Sequence, residues 1–227
     1  MTMTAGGTHV GLKRKRNEDS FFIGKHLAAV ADGMGGYVSG DVASSTAIEA
    51  VRAFDRPCSP QQLAPMLSQA AYAANEALRQ RIKEQPEVAG MGTTLVAAAW
   101  SQGWFGVSNV GDSRIYLMRG GKLSQISDDH VYGRLMNQYG GVPRLDERIS
   151  RFLDGRADGR SPDLAIFKAR PGDRLLLCSD GLSSYVDRDT IVAGVARESR
   201  EQAVEQLIAS TLEVGAPDNV TVIVVDA

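Results

Sequence analysis

Val30-Ala31-Asp32-Gly33-Met34-Gly35-Gly36 is the stretch on which the reading of this chain turns. The residues leading into it, Leu27 to Ala31, are an unbroken apolar run, long enough for one buried strand. The run stops at a carboxylate, and three of the next four residues are glycine. A carboxylate at a strand end is held by a rigid element yet faces open space, and glycine beside it lets a ligand approach the backbone closely. Asp-Gly is also an ordinary turn pair, so the weight comes from repetition. Asp112 follows Val107-Ser108-Asn109-Val110-Gly111, Asp180 ends Leu175-Leu176-Leu177-Cys178-Ser179 and precedes Gly181, and Asp218 stands just before the run Val220 to Val225.

If these ends converge, several like charges crowd together, which is costly unless protons or cations neutralise them. Carboxylate and carbonyl oxygens suit hard divalent cations, and no cluster of histidine or cysteine points to zinc or copper. Mg²⁺ or Mn²⁺ fits. Shared aspartates suggest two ions about 3.5–4 Å apart, an arrangement that activates water and stabilises charge on a phosphoryl group. Arg14 is then a natural clamp for phosphate oxygens. Glu18 and Asp19 would hydrogen-bond metal-bound waters or orient the ligands.

Composition narrows the class. The chain has 227 residues, 43% of them hydrophobic, and a formal net charge of −2. That balance gives no reason to expect a nucleic-acid partner, and the basic run Lys13 to Arg16 is short and followed by acids. No apolar stretch approaches the ~18 residues of a membrane span, and Met1 to Gly11 lacks the apolar segment of a secretory leader. Cys58 and Cys178 read as reduced thiols. The expectation is a cytoplasmic domain without direct membrane insertion, either complete or cut from a longer protein. The dinucleotide fingerprint fails because Val38 occupies its third glycine position, and there is neither a P-loop nor a GxSxG elbow. His9, His26 and His130 have no evident partner and read as surface or capping residues.

The periodicity predicts a strand over Leu27–Ala31 and a helix over 42–55 with Asp41 as its N-cap. A second helix over 61–84 follows, then short strands over Thr93–Trp100, Trp104–Asn109, Arg114–Arg119 and Lys122–Ile126, read as one β-meander. Asp128 or Asp129 would cap a helix carrying Val131, Leu135, Met136 and Tyr139. Residues 143–162 read as an irregular surface segment. Strands over Leu164–Ala169 and Arg174–Ser179, a short helix begun by Asp187 or Asp189, a last helix with a Ser199/Gln202 capping box, and a strand over Val220–Val225 complete the order. Strands and helices come in blocks, which argues for antiparallel sheets with helices laid on them, an α+β protein of one domain.

From about Gly11 to Asp226 the sequence closely resembles the bacterial PP2C-type (PPM) metal-dependent protein serine/threonine phosphatases. The resemblance lies in Arg14-x-x-Asn17-Glu18-Asp19, Val30 to Gly36 continued by Gly40-Asp41-x-Ala43-Ser44, Met91-Gly92-Thr93-Thr94, Asn109 to Tyr116, Ser179-Asp180-Gly181 and Asp218-Asn219-Val220-Thr221. It implies an αββα sandwich, two antiparallel sheets packed face to face with helices outside. It implies that Asp32, Asp180 and Asp218 hold two Mn²⁺ or Mg²⁺ ions with the Gly33 carbonyl. Asp112 with Asp180 would serve a weaker third ion, Arg14 would bind substrate phosphate, and Asn219 would join Glu18 and Asp19 in supporting the ligands. The implied reaction is in-line hydrolysis of phosphoserine and phosphothreonine by a metal-bridging water, without a phosphoenzyme. The implied setting is a monomer acting in a serine/threonine kinase pathway. Met34 and Tyr37 depart from histidines that other members carry, and 128–161 follows the family pattern only loosely in a region that includes a flap. Two alternatives stay open beside an active phosphoprotein phosphatase: a regulatory binding module of the same fold, and a two-metal phosphatase of small molecules.

Overall fold

The computed structural model of the chain describes residues 3–35, 39–133, 148–157 and 161–227. Two antiparallel sheets stack face to face. The first has strand order β1(Met3–His9), β11(Val220–Asp226), β10(Arg174–Cys178), β7(Arg114–Arg119), β8(Lys122–Gln125). The second runs β2(Asp19–Ile23), β3(Leu27–Met34), β5(Leu95–Ser101), β6(Trp104–Val110), β9(Asp163–Lys168), with the two-residue β4(Gly92–Thr93) added to the end of β3. Helices α1(Gly40–Arg52) and α2(Leu63–Glu84) cover the second sheet. Helices α4(Arg188–Val195) and α5(Arg200–Glu213) cover the first, and the single turn α3(Asp180–Ser183) leads out of β10. This is the expected αββα sandwich.

Three apolar layers hold it together. Val30, Val96, Phe105, Ile115, Leu177 and Ile223 fill the space between the sheets. Leu63, Leu67 and Leu78 of α2 are fully buried against the outer face of the second sheet. At about 1.5–3 kcal/mol for each buried leucine, that one stripe is enough to fix the helix. Val204 and Leu207 of α5 do the same on the first sheet.

Several boundaries differ from expectation, each for a physical reason. Strand β1 has little β propensity (Met-Thr-Ala-Gly-Gly-Thr-His) and was not expected. It exists because all seven of its residues pair with β11, and its small residues fit beneath Val204 and Ile208. Strand β3 runs on to Met34 because Gly33 and Met34 pair with Thr93 and Gly92. Asp32 therefore lies inside a strand, opposite Asp19. Helix α1 begins at Gly40 with Ser39 as N-cap, so Asp41 is a first-turn residue. Asp187 and Ser199 cap their helices as expected.

The expected meander is two separate hairpins. Strands β5 and β6 pair in the second sheet, and β7 and β8 in the first. The chain crosses between sheets at Gly111-Asp112-Ser113, which carries Asp112 to the seam. The helix expected from Asp128 or Asp129 falls mostly on residues outside the described ones. Asp129 is engaged as the partner of Arg114, at 2.7 Å.

Candidate metal centre

The carboxylates meet where the two sheets open at one end. A cavity of about 470 Å³ is lined by Arg14, Glu18, Asp32, Gly33, Met34, Gly35, Asp112, Ile149, Asp180, Asp218 and Asn219. Asp32 comes from the second sheet, Asp180 and Asp218 from the ends of β10 and β11 in the first, and Asp112 from the crossover between them. Of the residues expected at the site, Asp19 alone is not in the cavity wall. It is buried beneath it, 8% exposed.

Each carboxylate is fixed by its backbone. The Asp32 N–H donates to Thr94 Oγ1 at 3.0 Å, and its carbonyl accepts from Thr93 Oγ1 and the Thr94 N–H, both at 2.9 Å. Ser113 meets Thr94 Oγ1 at 2.7 Å. Glycine follows Asp32 and Asp180 because the main chain packs too tightly there for a side chain. A Cβ on Gly33 would lie 2.0 Å from the Gly40 carbonyl oxygen, and one on Gly181 would lie 1.8 Å from the Asn219 carbonyl oxygen. Asn219 acts as a tie. Its amide donates to the carbonyls of Val10 and Arg16 at 2.8 and 2.9 Å, and its Oδ1 accepts from the Glu18 N–H at 2.8 Å. These bonds hold the loop that carries Arg14. Arg14 Nη2 donates to Asp218 Oδ2 at 2.7 Å.

The electrostatics are those of anions crowded together. Burial, then the charges of Asp19, Asp180 and Asp112, push Asp32 well above the usual carboxylate range. Burial and Asp180 raise Asp112 to about 7. Burial raises Asp19 to about 6, against hydrogen bonds from Thr221 and Ser179. Burial and Asp218 raise Asp180. Among the described residues only Arg14, itself held charged by Asp218, brings a positive charge into the cavity wall.

These residues fit hard divalent cations. The cavity's carboxylates offer oxygen ligands, and among the described residues histidine and cysteine are absent from its wall. Asp19 accepts a 2.8 Å bond from Ser179 Oγ on Oδ2, while its buried Oδ1 has no partner. A buried anionic oxygen left that way is costly unless a cation or its water answers it. Among the described residues no three His, Cys, Asp or Glu side chains gather as a cage for a single ion.

Sequence reasoning missed the scaffold around these residues. Ser179, whose Oγ also accepts from the Thr221 N–H at 3.0 Å, and Ser113 sat within quoted motifs but had no assigned role. Ile149 carried no signal. His130, expected at the surface or in a cap, is 6% exposed and bonded at both ring nitrogens. Its partners lie 19 and 33 residues away, so no local pattern could reveal them. Tyr37 lies outside the described residues.

Comparison with known proteins gives concordant findings. A family model described as protein phosphatase 2C matches residues 7–219. The chain is 38% identical over 223 residues to the serine/threonine protein phosphatase PstP of Mycobacterium tuberculosis, covering 95% of this chain and 43% of that protein. It is 29% identical over 239 residues to the serine/threonine phosphatase stp of Listeria monocytogenes, covering 96% and 93%. A crystal structure of the PstP catalytic domain in complex with two manganese ions superposes with a TM-score of 0.91 at 38% identity, covering 99% of this chain and 97% of that one.

Proposed function

The chain belongs to the protein phosphatase 2C family, and from that premise we propose that it is a metal-dependent phosphatase of phosphoserine and phosphothreonine in proteins. It spans less than half the length of the mycobacterial relative it matches, so its activity and substrates are argued from its own site. The observation that carries the reading is the convergence of Asp32, Asp112, Asp180 and Asp218 with Arg14 on one cavity.

Asp32, Asp180, Asp218 and Gly33 are the proposed holders of two Mn²⁺ or Mg²⁺ ions, the number and one of the metals found with the PstP catalytic domain, and Asp112 with Asp180 of a third. When bound, such ions supply a nucleophilic water at neutral pH and offset charge developing on a phosphoryl group. The protein's own part is placement. Arg14 presents a guanidinium with five N–H donors, of which Asp218 takes one among the described residues. The others are available to hold phosphate oxygens in line. Glu18 lies in the wall and Asp19 beneath it, where they support the ligands, and Asn219 holds the Arg14 loop at its distance. Met34 in the wall brings no proton donor, so the leaving alcohol takes its proton from water or from another residue.

We read the chain as one catalytic domain with a variable segment around 128–161, acting as a monomer. Among the described residues no helix is long and apolar enough to cross a membrane, and a cytoplasmic setting beside a serine/threonine kinase fits the substrate class. The test is hydrolysis of a phosphothreonine peptide in EDTA, Mg²⁺ or Mn²⁺, with nucleotides and sugar phosphates as competing substrates. Metal-dependent turnover that favours the peptide is expected. Absence of turnover with either metal in a folded protein would overturn the reading, and preference for the small phosphates would redirect it.

A further inference from the structure

His130 joins two parts of the site that sit on different pieces of chain. On one side its Nδ1 accepts from the Gly111 N–H at 3.0 Å, and its main-chain N–H donates to the Gly111 carbonyl at 2.9 Å. Gly111 is the residue before Asp112. On the other side its Nε2 stands 3.1 Å from Asp163 Oδ2. Arg151 Nη1 donates to Asp163 Oδ1 and to the Ser161 carbonyl, both at 2.8 Å. The His130 carbonyl accepts from the Ser150 N–H at 2.7 Å, and Val131 bridges to Ile149. Because Gly111 donates to Nδ1, the ring proton sits on Nε2 and is donated to Asp163.

Asp112 needs such a tie more than the other carboxylates do. Asp32 lies within a strand whose neighbours on both sides are paired. Asp112 lies in the short crossover between the end of β6 at Val110 and the start of β7 at Arg114. In that crossover both main-chain polar groups of Gly111 are taken up by His130, with Asn109 Nδ2 adding only a 3.4 Å contact. The same residue also reaches the stretch that puts Ile149 in the cavity wall, by its main-chain carbonyl on Ser150 and by the imidazole bond to Asp163, which Arg151 shares.

We propose that His130 is a positioning residue that locks the Asp112 turn to the 148–151 wall, and thereby sets the affinity of the cation position that Asp112 serves. This rests on the metal-site reading above and extends it. The position of that wall, against which substrate would lie, and the occupancy of the Asp112 position become linked through one residue. His130→Ala removes both imidazole ties, to the Gly111 N–H and to Asp163, and keeps the main-chain bonds to Gly111 and Ser150. His130→Asn keeps a short acceptor within reach of the Gly111 N–H and gives up the Asp163 bond. Asp163→Ala leaves the imidazole in place but frees its far side, and at 48% side-chain exposure the Asp163 carboxylate is not part of the core.

The experiment is titration of the intact protein with Mn²⁺ by calorimetry, with circular dichroism as the check on folding. The wild type is expected to show two tight components and one weaker one. Removing a group that orients a ligand typically costs 10–100-fold in metal affinity, so His130→Ala should weaken the third component about tenfold or more and leave the tight pair within about twofold. His130→Asn should recover most of the loss, and Asp163→Ala should weaken the same component by a smaller factor. Three results would overturn the assignment: a wild type with no weaker component, an unchanged third component in folded His130→Ala, or equal weakening of all components. If His130→Ala does not fold, an unchanged third component in Asp163→Ala overturns it. Should the wild type fail to hydrolyse phosphopeptides while the Mn²⁺ titrations behave as stated, the phosphatase reading falls and the role of His130 stands.

Discussion

Strands β10 and β11 have aspartates at both ends, and the two ends treat them differently. At the end away from the cavity, Arg174 opens β10 directly opposite Asp226. Its guanidinium donates to both Asp226 carboxylate oxygens, at 2.5 and 3.0 Å, and to the carbonyls of Val195 and Arg197. Nearby, Arg119 clasps both oxygens of Asp173, at 2.8 and 2.5 Å. There each carboxylate has a cation and is electrostatically closed. At the cavity end Asp180 and Asp218 face Asp32, Asp112 and Asp19, and among the described residues only Asp218 accepts a hydrogen bond from an arginine. Burial alone would raise Asp173, but Arg119 and the Arg170 N–H outweigh it and hold this carboxylate below the usual range. At the other end burial and neighbouring anions act together and raise Asp19, Asp32, Asp112 and Asp180. The same residue type on the same strands is structural where a cation is built in and open to ligands where it is not.

The sharpest way to break that contrast is Asp180→Asn. Losing a carboxylate that holds the ions offsetting the developing charge costs several kcal/mol, so turnover of a phosphothreonine peptide should fall about a thousandfold or more. In EDTA the same variant should melt no lower than the wild type, because one of several crowded anions has been removed. A lower metal-free melting temperature would mean that Asp180 is a structural residue like Asp226, and the contrast would be gone.

Arg174→Ala probes the closed end. It removes four hydrogen bonds and leaves Asp226 without its cation, a loss of about 3 kcal/mol by analogy with other broken, largely buried pairs. For a chain of this size that lowers Tm by roughly 6–12 °C. Peptide turnover at 25 °C should stay within about twofold, since a change this distant from the site adds independently. A fall in turnover without a fall in Tm would show that the two ends are coupled.

Mn²⁺ itself should act at one end only. Added at a hundredfold excess over its Kd, it stabilises the folded state by about 2.7 kcal/mol. A scanning calorimeter should then record a rise in Tm of roughly 5–11 °C. Arg174→Ala should show the same rise from its lower starting point, and Asp180→Asn a much smaller one. A full-sized shift in Asp180→Asn would place the ions elsewhere.

How much of this was legible beforehand follows the same division. Asp32, Asp180 and Asp218 could be picked out because each adjoins a buried apolar run, a local pattern of a few residues. The helices α1 and α2 were legible from their apolar periodicity, and the caps at Asp187 and Ser199 from residue type. The split of the middle strands between two sheets was not legible, because a hairpin that stays in its sheet and one that leaves it have the same alternation. Strand β1 was hidden because its pairing with β11 overrides poor intrinsic preference. The roles of His130 and Asn219 depend on partners far along the chain, 33 and over 200 residues away, which spacing cannot encode.

The smallest expected effect is a difference in the sign of pH dependence. A carboxyl whose folded pKa is raised binds its proton more tightly in the folded state, so it contributes stability at low pH that is lost as pH rises. For Asp19 and Asp112 that window runs from the unfolded value near 4 up to about 6 and about 7. Asp173 has the opposite sign. Its lowered pKa contributes stability above the unfolded value, lost only as pH falls below about 4. In EDTA the wild type should therefore melt at a higher temperature at pH 5 than at pH 8. Asp112→Asn should flatten that slope, and Asp173→Asn should leave it intact. Saturating Mn²⁺ should reverse it, because cations and protons compete for the same oxygens and deprotonation favours the metal. A slope that is flat in EDTA and unmoved by Asp112→Asn would mean that the crowded carboxylates titrate as ordinary surface groups, and the two ends of the sandwich would no longer differ in kind.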